Sequence, residues 1–146
     1  MTVHDLFTAD HIRLRKEIAG IQSALASKPG ELESLFLDFQ KSARAHLRKE
    51  DEVYYPYVDA GKKLGDRELM HSLRNDHAAV VFALESLAIR LRKKVPLPEW
   101  KVKFDTMINV LLEHFDTEEQ KLFPFVERAL PPAELKALLE KVQALR

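Results

Sequence analysis

The chain contains no cysteine, which removes disulfides, thiolate nucleophiles, iron–sulfur clusters and cysteine-ligated zinc together. Glycine and proline are scarce, four and seven in 146 residues, so they punctuate the chain rather than pervade it. Net charge is missing too: 23 Lys and Arg balance 23 Asp and Glu. Without a basic field to release phosphate counterions, nucleic acid is not expected as a partner. Long apolar runs are absent. The longest, Ala78 to Leu84, falls far short of the ~20 residues that span a bilayer, so no membrane role is expected. The opening MTVHDLFTADH has neither a basic stretch nor an apolar one; no secretory signal is expected, and the chain reads as cytoplasmic.

What remains is a chain with 46% hydrophobic and 32% charged residues, the composition of one globular domain over residues 1–146. Leucine and alanine are abundant, and the apolar residues recur with a helical rather than a two-residue period. The first helix is expected from Val3 to Ala26, with Thr2 and Asp5 as a capping box and Lys28-Pro29-Gly30 as its break. The second is expected from Glu31 to Ala60, kinked near its end by Pro56 and closed by Gly61. The third runs from Asp66 to Lys94 and stops before Val95-Pro96-Leu97-Pro98. The fourth runs from Glu99 to Phe123 or slightly beyond, with Leu122 and Phe125 on its apolar stripe. Past Pro131-Pro132, Ala133 to Leu145 makes a short fifth helix. Short loops between long helices predict an all-α, antiparallel up-down-up-down four-helix bundle with a short C-terminal helix.

Each of the four long stripes is interrupted by a histidine: His11, His46, His77 and His114. Two carry a glutamate four residues later, at Glu50 and Glu118, on the same helix face. Buried imidazoles and carboxylates are costly unless paired or coordinated. His11 lies 15 residues before the end of its helix and His46 15 after the start of the next, so both sit about 22 Å from their shared turn. The second hairpin brings His77 and His114 to nearly the same height. Four histidines and two glutamates therefore converge on one layer, which points to a metal. The chain also repeats: DHIRL at Asp10-His11 answers DHAAV at Asp76-His77, and HLRKEDEVYYPYV from His46 returns as HFDTEEQKLFPFV from His114. Two helical hairpins related by a pseudo-twofold axis would each donate a histidine and an HxxxE pair.

The pattern H…HxxxE…H…HxxxE, with a proline after each HxxxE at Pro56 and Pro124, resembles the hemerythrin-like, or HHE cation-binding, family through about residue 126. The resemblance implies a non-haem centre of two irons, held by His11, His46, Glu50, His77, His114 and Glu118, with the two carboxylates and an oxide or hydroxide bridging. Oxygen-carrying hemerythrins look to have a further histidine one turn before the third-helix ligand, where this chain has Leu73. They also place the last carboxylate one residue later, which makes Glu119 a reserve candidate beside Glu118. The six-ligand set is more similar to the di-iron domain of proteins that repair damaged iron centres, whose cysteine-containing domain has no counterpart in these residues.

Histidine and carboxylate donors suit iron, and also zinc or manganese. Two histidines for each ion, with the bridges, would leave each one open position, which is what binding O₂, NO or peroxide requires. The expected function is therefore handling of such small molecules, or storage and delivery of iron. The alternatives are a metal-state or oxygen sensor read by a separate protein and a structural metal-binding bundle. No histidine has Glu three residues earlier, against ferritin-type oxidation, and no HExxH protease motif is present. His4 reads as a helix-end or entry residue, His71 as surface, and Trp100 as packing. Tyr54 and Tyr57 either pack or hydrogen-bond the centre. The cluster Arg90, Arg92, Lys93 and Lys94 is explained by the helix macrodipole.

Overall fold

A computed structural model describes residues 1–59 and 67–145. The helices are α1 (Val3–Ser27), α2 (Leu32–Lys49), α3 (Tyr55–Asp59), α4 (Arg67–Arg92), α5 (Leu97–Thr117), α6 (Phe123–Ala129) and α7 (Pro132–Ala144). No strand occurs among the described residues. Single π-helical turns, Glu50–Tyr54 and Glu118–Leu122, join α2 to α3 and α5 to α6. Helix α1 packs on α2 and α5, and α4 packs on α5 and α2, while α7 lies against α1 and the first π-turn. This is the antiparallel four-helix bundle with a C-terminal helix that the stripes predict.

Local chemistry sets the helix ends. The Thr2 hydroxyl accepts from the Asp5 N–H at 3.1 Å, and the Asp5 carboxylate accepts from the Thr2 N–H at 2.9 Å. Both are otherwise orphaned donors of the first turn of α1. Helix α5 begins two residues before the expected Glu99, because Pro98 is tolerated in a first turn, where its missing N–H has no intrahelical role. Helix α4 ends at Arg92 rather than Lys94. Lys94 takes the left-handed conformation (φ 55°), and the N–H groups of Lys94 and Val95 return to the carbonyls of Leu91 and Arg90. That pairing caps the last carbonyls. The expected helix end at Ala60, its cap at Gly61 and the expected start at Asp66 lie outside the described residues.

The π-turns correct the reading of the second and fourth helices. Pro56 has no N–H for the carbonyl of Glu52, and its ring would press on that carbonyl in a regular helix. The strain is taken up just upstream: the Tyr55 N–H reaches back five residues to Glu50 O, and the Phe123 N–H likewise to Glu118 O. One extra residue enters each turn, so the buried face moves on by one position. Tyr54, Tyr55 and Val58 continue the core in one half, and Leu122, Phe123 and Val126 in the other. Tyr57 is only half-buried, beneath Lys141 Nζ at 5.2 Å. Phe125, expected inside, is 40% exposed.

Two apolar clusters fill the bundle. One gathers Leu14, Ile18, Phe36, Phe39, Leu84, Trp100, Phe104 and their neighbours. The other gathers Val3, Phe7, Tyr54, Tyr55, Leu73, Phe123, Val126 and Leu138. Along α1 the order is Phe7, His11, Leu14, and along α4 it is Leu73, His77, Val80, so the histidine layer lies between the clusters.

Candidate metal centre

All six expected site residues are buried, and their side chains meet. His11 Nε2 lies 3.2 Å from His46 Nε2, and His77 Nε2 lies 3.0 Å from His114 Nε2. Glu50 Oε1 stands 3.4 Å from His46 Nε2, 3.2 Å from His77 Nε2 and 3.7 Å from His114 Nε2. Glu118 Oε1 stands 3.3 Å from His11 Nε2 and 3.4 Å from His114 Nε2. Two nitrogens each ~2.1 Å from one ion and at right angles about it would be ~3.0 Å apart. Among the described residues the donors fall into two groups: His11, His46, Glu50 and Glu118, and Glu50, His77 and His114. Glu50 belongs to both.

Behind each imidazole stands a carboxylate. His46 Nδ1 meets Asp10 at 3.0 Å, His114 Nδ1 meets Asp76 at 3.1 Å, His77 Nδ1 meets Asp51 at 2.8 Å and His11 Nδ1 meets Glu119 at 2.6 Å. An Nδ1–H donated outward leaves the Nε2 lone pair facing the centre, the tautomer a metal requires. Cations steady two of these acceptors: Lys49 reaches Asp10 at 3.1 Å and Arg15 reaches Glu119 at 3.1 Å. Sequence reasoning missed this outer ring, although the repeat carries its signal. Asp10 and Asp76 each precede a histidine, and Asp51 and Glu119 each follow a glutamate. Neighbouring positions on a helix point about 100° apart, so a stripe that selects ligands discards the residues beside them.

A sequence model of the hemerythrin HHE cation binding domain matches residues 2–126. The chain belongs to the hemerythrin HHE family. Comparison with curated proteins and with solved structures gives no match. As an HHE domain the chain binds a cation, and its pocket fits one. Glu50 Oε1, Glu50 Oε2 and Glu118 Oε1 are buried without a hydrogen-bond partner, a costly arrangement unless another positive group satisfies them.

Without a cation, protons take up part of that charge in the HHE centre. Burial disfavours a charged His46, but the facing Glu50 and the Asp10 acceptor overrule it and lift the imidazole to about 9. Burial is outweighed likewise at His114, lifted to about 10 by Glu118, Asp76 and Glu50. His77 is also raised against burial, by Asp51 and Glu50. The carboxylates diverge. Burial opposes ionisation of Glu50, yet the surrounding histidines hold it well below its usual range. Burial and then the charge on Glu50 push Glu118 up to about 7.

The π-turns of the HHE domain bring in residues that an unbroken stripe misplaces. Tyr55 donates its hydroxyl to Glu118 Oε2 at 2.8 Å. Tyr54, expected with Tyr57 either to pack or to hydrogen-bond the centre, packs in the core and meets His4 Nε2 at 2.7 Å. His4 also pairs with Glu127 and stacks on Phe123 at 4.8 Å, so it lies outside both donor groups, at the N-terminal end of α1. Glu119, the reserve bridging candidate, belongs to neither donor group and serves the far nitrogen of His11. His71 is exposed, and Trp100 is fully buried, donating to the Leu87 carbonyl at 3.0 Å. No described helix is long and apolar enough to cross a membrane.

Proposed function

We propose that this HHE domain holds two irons, one between His11, His46, Glu50 and Glu118 and the other at Glu50, His77 and His114, and that it handles O₂, NO or peroxide. The observation that carries the reading is the pair of donor groups sharing one carboxylate. Such a pair of ions, when bound, supplies redox-active positions for small oxygen and nitrogen species. The protein's own contribution is preorganisation. Four outward Nδ1–H donations keep four Nε2 atoms aimed inward, and the two apolar clusters limit water around them. Leu73, 1% exposed and one turn before His77, has no donor atom to add beside that histidine. That favours reaction with small molecules over reversible carriage. The full burial of Glu50 and Glu118 supports a retained centre over rapid iron delivery.

Metal analysis of protein produced with iron supplied tests the reading, with two irons for each chain expected. The reduced protein should bind NO and oxidise promptly when mixed with O₂. One zinc per chain with no iron uptake would make the site structural, and reversible uptake and release of O₂ would make it a carrier.

A further inference from the structure

The two donor groups are unequal: one has four residues and the other three. Tyr55 stands at the poorer one. It is fully buried, and its ring lies against His77 with centroids 5.0 Å apart. Its hydroxyl oxygen is 3.2 Å from His77 Nε2 and 3.4 Å from His114 Nε2, and those nitrogens are 3.0 Å apart. The three atoms form a nearly equilateral triangle with edges close to the ~3.0 Å that one ion, ~2.1 Å from each at right angles, would impose. The pseudo-twofold mate of Tyr55, 68 positions on, is Phe123, which has no oxygen to offer. Phe123 stacks near His11, with ring centroids 5.9 Å apart.

We propose that Tyr55 is a seventh protein ligand, binding as phenolate to the ion at His77 and His114. This rests on the di-iron reading above and sharpens it. The second group gains its fourth donor, and the two ions become chemically unlike. The first, among His11, His46, Glu50 and Glu118, has histidine and carboxylate donors alone. The second has an anionic phenolate oxygen in addition. Ligation breaks the phenol O–H bond and ends its donation to Glu118 Oε2, 2.8 Å away. That carboxylate is the acceptor through which the proton leaves to solvent, and the electron pair stays on the phenolate oxygen. No oxidation or reduction is involved. A bound cation supplies the charge that makes deprotonation favourable inside the bundle.

The test compares wild type, Tyr55→Phe and Tyr54→Phe, each loaded with iron, oxidised in air and analysed for iron content. Wild type should show a phenolate-to-iron(III) charge-transfer band in the visible and resonance-enhanced tyrosine ring vibrations that shift when ring-deuterated tyrosine is incorporated. The band should be lost completely in Tyr55→Phe and kept in Tyr54→Phe, whose hydroxyl serves His4. If Tyr55→Phe does not fold, the isotope shift in wild type and its persistence in both Tyr54→Phe and Tyr57→Phe decide, since these are the other two of the chain's three tyrosines. Two irons in wild type without any tyrosine-derived band would overturn Tyr55 ligation and leave the di-iron reading standing. A band that survives in Tyr55→Phe would also overturn it. A wild-type protein that takes up no iron would overturn both.

Discussion

At the scale of single residues, the two glutamates of the repeat are not equivalent. Glu50 Oε1 faces three imidazoles and belongs to both donor groups, whereas Glu118 Oε1 faces two, His11 and His114, and belongs to one group. Glu50→Ala should therefore abolish binding of both ions, and Glu118→Ala should cost chiefly the ion at His11 and His46. Metal counts on the purified variants check this; loss of one ion in each would remove Glu50 from its shared role. If the proposed ions are bound, the outer carboxylates act on them at one remove, through the imidazoles. Removing such a partner typically weakens metal affinity by about 10–100-fold. Asp10→Ala should weaken the first site and Asp76→Ala the second, each by that amount in competition with a chelator of known affinity. Glu119→Ala belongs with these weakening variants, and not with the loss expected of a bridge, since its carboxylate meets the outward nitrogen of His11 and Arg15.

At the scale of elements, the π-turns connect the prolines to the centre. Each begins at a glutamate of an HxxxE pair and ends two residues before a proline, so the backbone adjustment that accommodates the ring also moves the next side chains by one position. Val126 becomes core and Phe125 faces outward, the reverse of an unbroken helical stripe. The smaller residue should therefore matter more. Val126→Ala should destabilise the metal-free protein by about 2 kcal/mol, the transfer of two methyl groups plus the cavity they leave. Phe125→Ala, at a surface position, should stay within about 0.5 kcal/mol. Urea unfolding of the two variants measures both, and equal losses would mean that the register change is absent in solution.

At the scale of the whole molecule, a neutral chain places its polar layer between two apolar clusters and charges it with cations or protons. In the metal-free protein His46 is raised from 6.5 to about 9 and His114 to about 10. A group raised on folding lends stability that is complete below its unfolded value and is lost as the pH rises through its folded value. The metal-free bundle should therefore lose stability between pH 6.5 and 10, and Glu118, pushed up to about 7, has the same sign below that window. Metal loading should reverse the trend, since ions require deprotonated imidazoles and compete with protons for them. Thermal melts of the two forms across this range check the crossing. Each ion should add about 2.7 kcal/mol at a free concentration 100 times its dissociation constant, so a chelator should lower the melting temperature most at alkaline pH.

The bundle and the level of its polar layer were legible in the sequence because helical spacing is local. A histidine every stripe, a glutamate one turn on, and equal distances from the loops bring His11, His46, His77 and His114 to one height by arithmetic on a 1.5 Å rise. Three further matters depended on the tertiary structure. The extra residue in each π-turn arises where a proline's lost hydrogen bond meets the packing of the following residues, so Tyr55 and Val126 cannot be placed by periodicity. The roles of Asp10, Asp51, Asp76 and Glu119 depend on which neighbouring helix stands opposite, because a carboxylate beside a ligand faces away from its own stripe. Likewise the sharing of Glu50 between both donor groups is a property of distances across the bundle, which no spacing along one helix contains.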